Sequence, residues 1–199
     1  MQPFITSTIQ RAVEEANARA WEETSYLRDE LLELSWKIDD LEQYSRRDNI
    51  KITGLEDKAP ESPSASSDTN RIVIDTCKLM DVDITENDIS TSHWLPGKKP
   101  MLIAKFTRRD IKKRIMQSKK KLKKSDPIIY EDLTVPRLRL LREVKKTNGL
   151  KRVFTREGVI HCLMETEGRD IRVKIKRPED LIQIGWNDDD IRSIYNIFK

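Results

Sequence analysis

The sequence predicts an α+β protein in three parts: an N-terminal coiled-coil helix over residues 1–47, a βαββαβ domain over 48–133, and a small α+β C-terminal domain over 134–199. Three observations predict it. Between Leu27 and Leu41 the apolar residues recur at steps of four and three. After Asn49, segments of period two and of helical period follow one another in the order β-α-β-β-α-β. A hydrophobic content of 37% against 36% charged residues is lean for one core of 199 residues, but it suits a coil followed by two small domains.

The coil comes first. Leu31 and Ile38 take the a positions and Leu27, Leu34 and Leu41 the d positions of a 3.5-residue repeat. The same register places Thr24 and Asn17 at a and Ala20 and Val13 at d, so the oligomerisation stripe continues upstream to Val13. Two polar a positions thin it, and a buried Asn fixes register at a cost in stability. Lys37 at g with Glu42 at e, and Glu23 at g with Arg28 at e, have the spacing that pairs neighbouring chains. A helix packed only on its own domain needs no such register, so self-association is predicted. A homotrimer is the first reading and a dimer the second: Ile38 at a with Leu at d favours two strands, but Leu31 at the preceding a breaks that pattern. Leu32 and Trp36 lie at outward b and f positions, placed to pack on the following domain or on another coil. Met1 to Thr8 reads as a frayed end. The seam stops at Leu41, because Ser45 and Asp48 cannot serve it.

Asn49 to Leu55 alternates with period two, Ile50 and Ile52 on one side and Lys51 and Thr53 on the other. Asp57 to Ser67 is a Pro/Ser-rich loop in which Ser62, before Pro63, has the form of a phosphorylation site. Asp68 caps a helix whose buried face is Ile72, Val73, Cys77, Leu79 and Met80. Asp88–Leu95 and Met101–Phe106 are strands about a turn containing Pro96, Gly97, Lys98, Lys99 and Pro100. A helix from Arg108 to about Lys121 turns Ile111, Ile115 and Met116 inward, and Ile128–Glu131 is a fourth strand. This order is that of the ferredoxin-like fold, which includes the RNA-recognition (RRM) domain. Beyond it, Thr134 or Val135 caps a helix with Pro136 in its first turn and Leu138, Leu141 and Val144 inward, ended by Asn148-Gly149. Arg152–Thr155 and Val159–Met164 form a hairpin about Glu157-Gly158. Ile171–Lys176 is a further strand, Pro178 starts a short helix, and Asp188–Phe198 is the last.

The net charge of +4 conceals an asymmetry, since the residues up to Ser45 carry four basic and ten acidic side chains and the remainder is strongly basic. An acidic stalk leading into basic domains points to a polyanionic partner. The densest run, Lys105 to Lys124, holds eleven cations against one acid: Lys105, Arg108, Arg109, Lys112, Lys113, Arg114, Lys119, Lys120, Lys121, Lys123 and Lys124. A solvated helix face normally mixes signs. On a ferredoxin-like domain such a run fits phosphate contacts, each adding about −0.7 to the salt slope on single strands. Arg137, Arg139, Arg142, Lys145, Lys146, Lys151, Arg152 and Arg156 form a second set, and Arg172, Lys174 and Lys176 a row along one strand face. A single strand of RNA or DNA running between the two domains meets all three. RNA-recognition domains stack bases on aromatics of their central strands. Here Lys51 and Thr53 are the exposed positions of the first strand, and Phe106 is the one aromatic of the third. Trp94, Tyr130 and Phe154 are candidate stacking residues, though an aromatic so placed is more often core than platform. The predicted mode is backbone charge with little base discrimination.

Leu41-Glu-Gln-Tyr-Ser-Arg-Arg-Asp-Asn-Ile-Lys-Ile-Thr-Gly-Leu55 closely resembles the coil-to-domain junction of proteins encoded by the first open reading frame of LINE-type retrotransposons. The similarity extends through the strand holding Asp88 and His93-Trp94, the Phe106–Asp110 run, Tyr130–Thr134, Leu140–Lys145 and the Thr155–Gly158 hairpin. The layout is also similar to that of the FP protein of baculoviruses. The resemblance implies coiled-coil trimers that bind single-stranded nucleic acid between the two domains, coat RNA and act as nucleic-acid chaperones. It matches Arg46 and Arg47 to the junction arginines, Lys119–Lys121 to the basic loop after the second helix, and Arg152–Arg156 to the C-terminal surface. The coil is shorter and the Ser/Pro loop longer than in the mammalian proteins, which bears on assembly of many trimers more than on binding. The alternative of another class is an adaptor or viral structural protein whose coil recruits a protein partner.

Catalysis is not expected. His93 and His161 lie in no metal or nucleophile spacing, and no phosphate-cradling Gly-rich loop is present. Asp188, Asp189 and Asp190 suit a helix N-terminus as they stand. No metal or cofactor is predicted. Cys77 and Cys162 read as reduced core residues of an intracellular chain, cytoplasmic and/or nuclear. No apolar run approaches the length of about 18 residues that spans a membrane.

Overall fold

Sequence register decides where each element turns its side chains, and the computed structural model describes residues 2–59, 68–97 and 99–197. Ser62, Pro63, Lys98 and Phe198 lie outside the described residues. The chain divides into two compact units at Leu41/Glu42. It combines helices with two antiparallel sheets, and no described helix is long and apolar enough to cross a membrane.

The first unit is the greater part of one helix, α1 (Gln2–Ser45), which is already helical at Gln2 where a frayed end was expected. Its seam is bare in the single chain: Val13, Leu27, Leu31, Leu34, Ile38 and Leu41 are all exposed, Leu41 by 73%. Thr24 turns its hydroxyl onto its own helix, donating to the Ala20 carbonyl at 2.6 Å. Trp36 is buried and Leu32 is not.

In the second unit, β1 (Asn49–Thr53), β2 (Ile89–Leu95), β3 (Met101–Phe106) and β4 (Ile128–Glu131) form a sheet of order β2-β3-β1-β4, antiparallel throughout. Its inner face carries Ile50, Ile52, Leu102, Ala104, Phe106 and Ile129, which pack with Val73 and Cys77 of α2 (Thr69–Lys78) and Ile111 and Ile115 of α3 (Arg109–Ser118). Asp68 caps α2 by accepting from the Arg71 amide at 3.0 Å. The helix ends at Lys78, so Leu79 falls past the buried phase and is exposed, contrary to expectation. The run expected to continue α3 to Lys121 closes instead as a 3-10 turn, Lys119–Lys121.

A second core follows. The helix α4 (Val135–Lys146) buries Leu140 and Val144, whose phase leaves Leu138 outside, a further correction. These side chains pack on Ile160, Cys162, Val173 and Ile175 of a three-stranded sheet, β5 (Leu150–Arg156), β6 (Val159–Thr166) and β7 (Arg169–Ile175). Leu181 and Ile184 of a 3-10 segment and Ile191 and Ile194 of α5 (Asp188–Ile197) close it. The β5–β6 turn has Glu157 at φ 54° and Gly158 at φ 77°, the pair of positive angles that a two-residue type I′ hairpin requires.

Candidate nucleic-acid interface

The coil-to-sheet junction is built on Asp132. Its carboxylate is almost wholly buried and receives Lys51 Nζ at 2.7 Å, Arg46 Nη1 at 3.1 Å and Asn49 Nδ2 at 3.0 Å. Burial alone would raise this carboxyl. Hydrogen bonds from Lys51 and Asn49, with the charges of Lys51 and Arg46, hold it below its ordinary range. Gln43 joins the same cluster, donating to the Asp132 carbonyl at 2.9 Å and accepting from the Thr134 amide at 3.0 Å. Arg47 lies over the Tyr44 ring, its guanidinium carbon 3.5 Å from the centroid. Arg46 and Lys51, singled out for phosphate, are thus engaged in holding the end of α1 and β1 to the residue after β4.

A second buried acid joins the two cores. Glu131 pairs with Lys112 of α3 at 3.1 Å, both side chains under a tenth exposed. Its oxygens also accept from the Glu157 and Gly158 amides at 2.8 and 3.1 Å. Arg137 of α4 donates to the Gly158 carbonyl at 3.1 Å. Lys112 and Arg137 are therefore corrected from surface cations to buried ones: α3 turns Lys112 toward β4 beside Ile111 and Ile115, and α4 turns Arg137 in with Leu140. Burial would raise the Glu131 carboxyl, but Lys112 and the hairpin amides hold it low. An ideal Cβ on Gly158 would stand 2.6 Å from Gln43 Cγ, at a positive φ. Gly158→Ala is expected to cost roughly 2 kcal/mol; an unchanged denaturation midpoint would contradict this.

The remaining predicted cations are at the surface in two conditions. Arg108 is shared between Asp88 and Asp110 at 3.9 and 3.6 Å, Arg109 meets Asp48 at 3.6 Å, Lys121 meets Asp81 at 3.1 Å, and Lys146 meets Glu143 at 2.7 Å. Lys105, Lys113, Lys120, Lys123, Lys124, Lys145, Arg152, Arg156, Arg172 and Lys174 are exposed, and among the described residues none is ion-paired. Lys119 is half-buried, with Nζ 3.4 Å from the Ile129 carbonyl. Its ammonium is held below the ordinary lysine value by burial; Glu131 opposes, and Arg152 and Lys112 add to the lowering. The basic turn after α3 and strand β5 thus lie within electrostatic reach of each other.

The outward rows of the second sheet bring cations and an aromatic ring together. Register aligns Arg152 with Leu163 and Arg172, and Phe154 with His161 and Lys174, while Val153, Cys162 and Val173 align on the core side. The guanidinium carbons of Arg152 and Arg172 each lie 5.2 Å from the Phe154 ring centre. Of the other stacking candidates, Tyr130 is exposed on the outer face of the first sheet, paired with Lys51. Trp94 packs against the first core instead, as Phe106 does, because both share the inward phase of Leu102. Sequence reading missed Glu131 and Asp132, although Ile129 inward and Tyr130 outward already put Glu131 in an inward phase. His161, which lies in no metal or nucleophile spacing, is buried.

The titrating groups set two acid windows. The folded protein holds Glu131 and Asp132 below the ordinary carboxyl values of 4.5 and 3.8. The unfolded chain binds protons first as pH falls, so stability present above these values drains below them. His161 is held below 6.5 by burial and by the charges of Arg172, Lys174 and Arg156. Again the unfolded state takes the proton first, so stability is expected to begin falling just below pH 6.5 and to fall further below 4.5. A urea midpoint flat from neutrality to pH 4.5 would contradict the first window. Burial likewise pushes the Cys77 thiol up to about 12 and raises that of Cys162. Both are expected to be silent to a thiol reagent until the chain unfolds, since the thiolate is the reactive form; fast labelling of native protein would contradict the burial.

Among the described residues no group of three or more His, Cys, Asp or Glu side chains is arranged to hold a metal. No protein-family model matches the chain, and no curated protein matches it.

Proposed function

We propose that the chain is an oligomeric single-stranded nucleic-acid-binding protein that packages and chaperones RNA or DNA through backbone charge and avidity. The observation that carries this reading is the outer face of the β5–β6–β7 sheet, where four exposed cations, Arg152, Arg156, Arg172 and Lys174, share the outward rows with Phe154 and have no acidic ion-pair partner among the described residues. The acids of the same rows, Glu165 and Asp170, are paired with Lys151, which leaves these four cations uncompensated, as phosphate binding requires. Lys120, Lys123 and Lys124, near Lys119, extend the same charge onto the first domain. The strand order β2-β3-β1-β4, with two helices packed on one face, supports a ferredoxin-like, RRM-like assignment for residues 48–133. The exposed a/d seam of α1 supports self-association, a homotrimer first and a dimer second.

Gel shifts with oligothymidylate and oligouridylate across a salt series test the reading. Steep salt dependence is expected, and the triple change Lys120→Ala, Lys123→Ala, Lys124→Ala is expected to flatten the slope by about 2. A slope that the triple change leaves intact would remove the first-domain cations from the site. Exposed Trp21 and Tyr26, off the a and d positions, favour a second reading in which the coil recruits a protein as an adaptor or viral structural protein. Salt-insensitive capture of a protein through the coil, with no oligonucleotide shift, would select it.

A further inference from the structure

Phe154 and His161 lie opposite each other on β5 and β6, their rings stacked with centroids 5.3 Å apart and planes inclined by 21°. From β7, Arg172 donates through Nε to His161 Nδ1 at 3.2 Å while its guanidinium lies beside the Phe154 ring. An imidazole nitrogen that accepts a hydrogen bond carries no proton, so this contact selects the neutral ring with its proton on Nε2.

We infer that His161, as the neutral Nε2–H tautomer, is a positioning residue that fixes Arg172 beside Phe154 and so assembles, with Arg152, a platform on which one unpaired nucleobase stacks. Neighbouring phosphates of the strand then meet Arg156 and Lys174. The inference rests on the nucleic-acid reading and adds to it a base-contacting subsite and a dependence on pH. Unpaired bases stack on aromatic rings and guanidinium planes, and such stacking tolerates any base. Protonation turns Nδ1 from acceptor to donor. His161 and Arg172 then present two donors and two positive charges to each other, and the platform comes apart.

The charged groups around the ring set the direction. Arg172 and Lys174 on β7 and Arg156 on β5 act against a charged imidazole, as burial does, and Glu131 on β4 opposes them. The platform is therefore intact at neutrality and comes apart only in acid, below the ordinary histidine value, where the folded ring takes up its proton.

The test compares the affinity of the full chain for oligothymidylate and for an abasic strand of the same length, from about pH 8, above the ordinary histidine value, down into acid as far as the chain stays folded, at constant ionic strength. The ratio cancels phosphate charge and leaves the base. In the wild-type chain it is expected to be on the order of ten-fold at neutral pH and to fall toward unity in acid. His161→Asn keeps an acceptor near Nδ1 but takes up no proton, so its ratio is expected to ignore pH. Phe154→Ala is expected to bring the ratio near unity throughout. Imidazole nitrogen chemical shifts of the wild-type chain, which need no variant, are expected to show a bare Nδ1 near neutrality; a protonated Nδ1 overturns the assignment. A wild-type ratio that ignores pH, or a pH dependence that survives in His161→Asn, overturns the role of His161 alone. Failure to bind either strand at low salt overturns the nucleic-acid reading beneath it.

Discussion

Replacing Glu131 with alanine is expected to destabilise the second unit by about 3–5 kcal/mol, the range for removing one member of a buried ion pair. The change strands the Lys112 ammonium in a site that is less than a tenth exposed. It also takes the acceptor from two hairpin amides, Glu157 and Gly158. A buried donor left unmade costs about 1–3 kcal/mol, so part of the loss persists even when the charge is dealt with separately. Lys112→Met with Glu131 intact therefore serves as the informative partner variant: it leaves the carboxylate its two backbone donors, and is expected to cost less than Glu131→Ala. Urea denaturation at neutral pH reads both. Equal losses, or a Glu131→Ala loss under about 1 kcal/mol, the scale of an exposed pair, would show that Glu131 does not join the cores.

The second large effect lies in the coil. Leu31→Asp together with Ile38→Asp places two carboxylates on adjacent a positions of a seam that is bare in the single chain. A helix of this length with no partner for its apolar stripe leaves Leu27, Leu34 and Leu41 in water as well, and burial of such side chains contributes about 1.5–3 kcal/mol each. The double variant is expected to be monomeric and to lose strand affinity by roughly 10²–10⁴, the gain that joining weak sites provides. Its second unit should keep its own denaturation midpoint, because none of these seam residues belongs to either core. A double variant that still self-associates would place the interface elsewhere.

Strand limits were the most legible part of the sequence. Met101–Phe106 and Ile128–Glu131 were read at their observed bounds, because period-two alternation between turn residues leaves little freedom. Caps were legible for the same local reason, Asp68 among them. What a cation does was not. Lys112, Arg46 and Lys51 count in composition with Lys120 and Lys124, yet the first three are consumed by Glu131 and Asp132, acids contributed from β4 and the residue after it. Which carboxylate meets which lysine depends on sheet order, and that is a tertiary property. Part of the signal was present: Lys112 shares the phase of Ile111 and Ile115 on α3, so the helical period already turned it inward. The fate of the aromatics followed similarly, since Trp94 and Phe106 are in step with inward Leu102 while Tyr130 and Phe154 are out of step with their cores. His161 falls inside the predicted Val159–Met164 strand, and only its alignment with Phe154 on one side and Lys174 on the other gives it a place in the cationic row.

Light scattering on the purified full chain, with and without oligothymidylate at low ionic strength, tests most directly whether joined copies grip one strand. The mass of a trimer or dimer before addition, and a complex of that oligomer on a strand afterward that disperses as salt is raised, is the predicted result. A monomer whose mass is unmoved by the strand would contradict it.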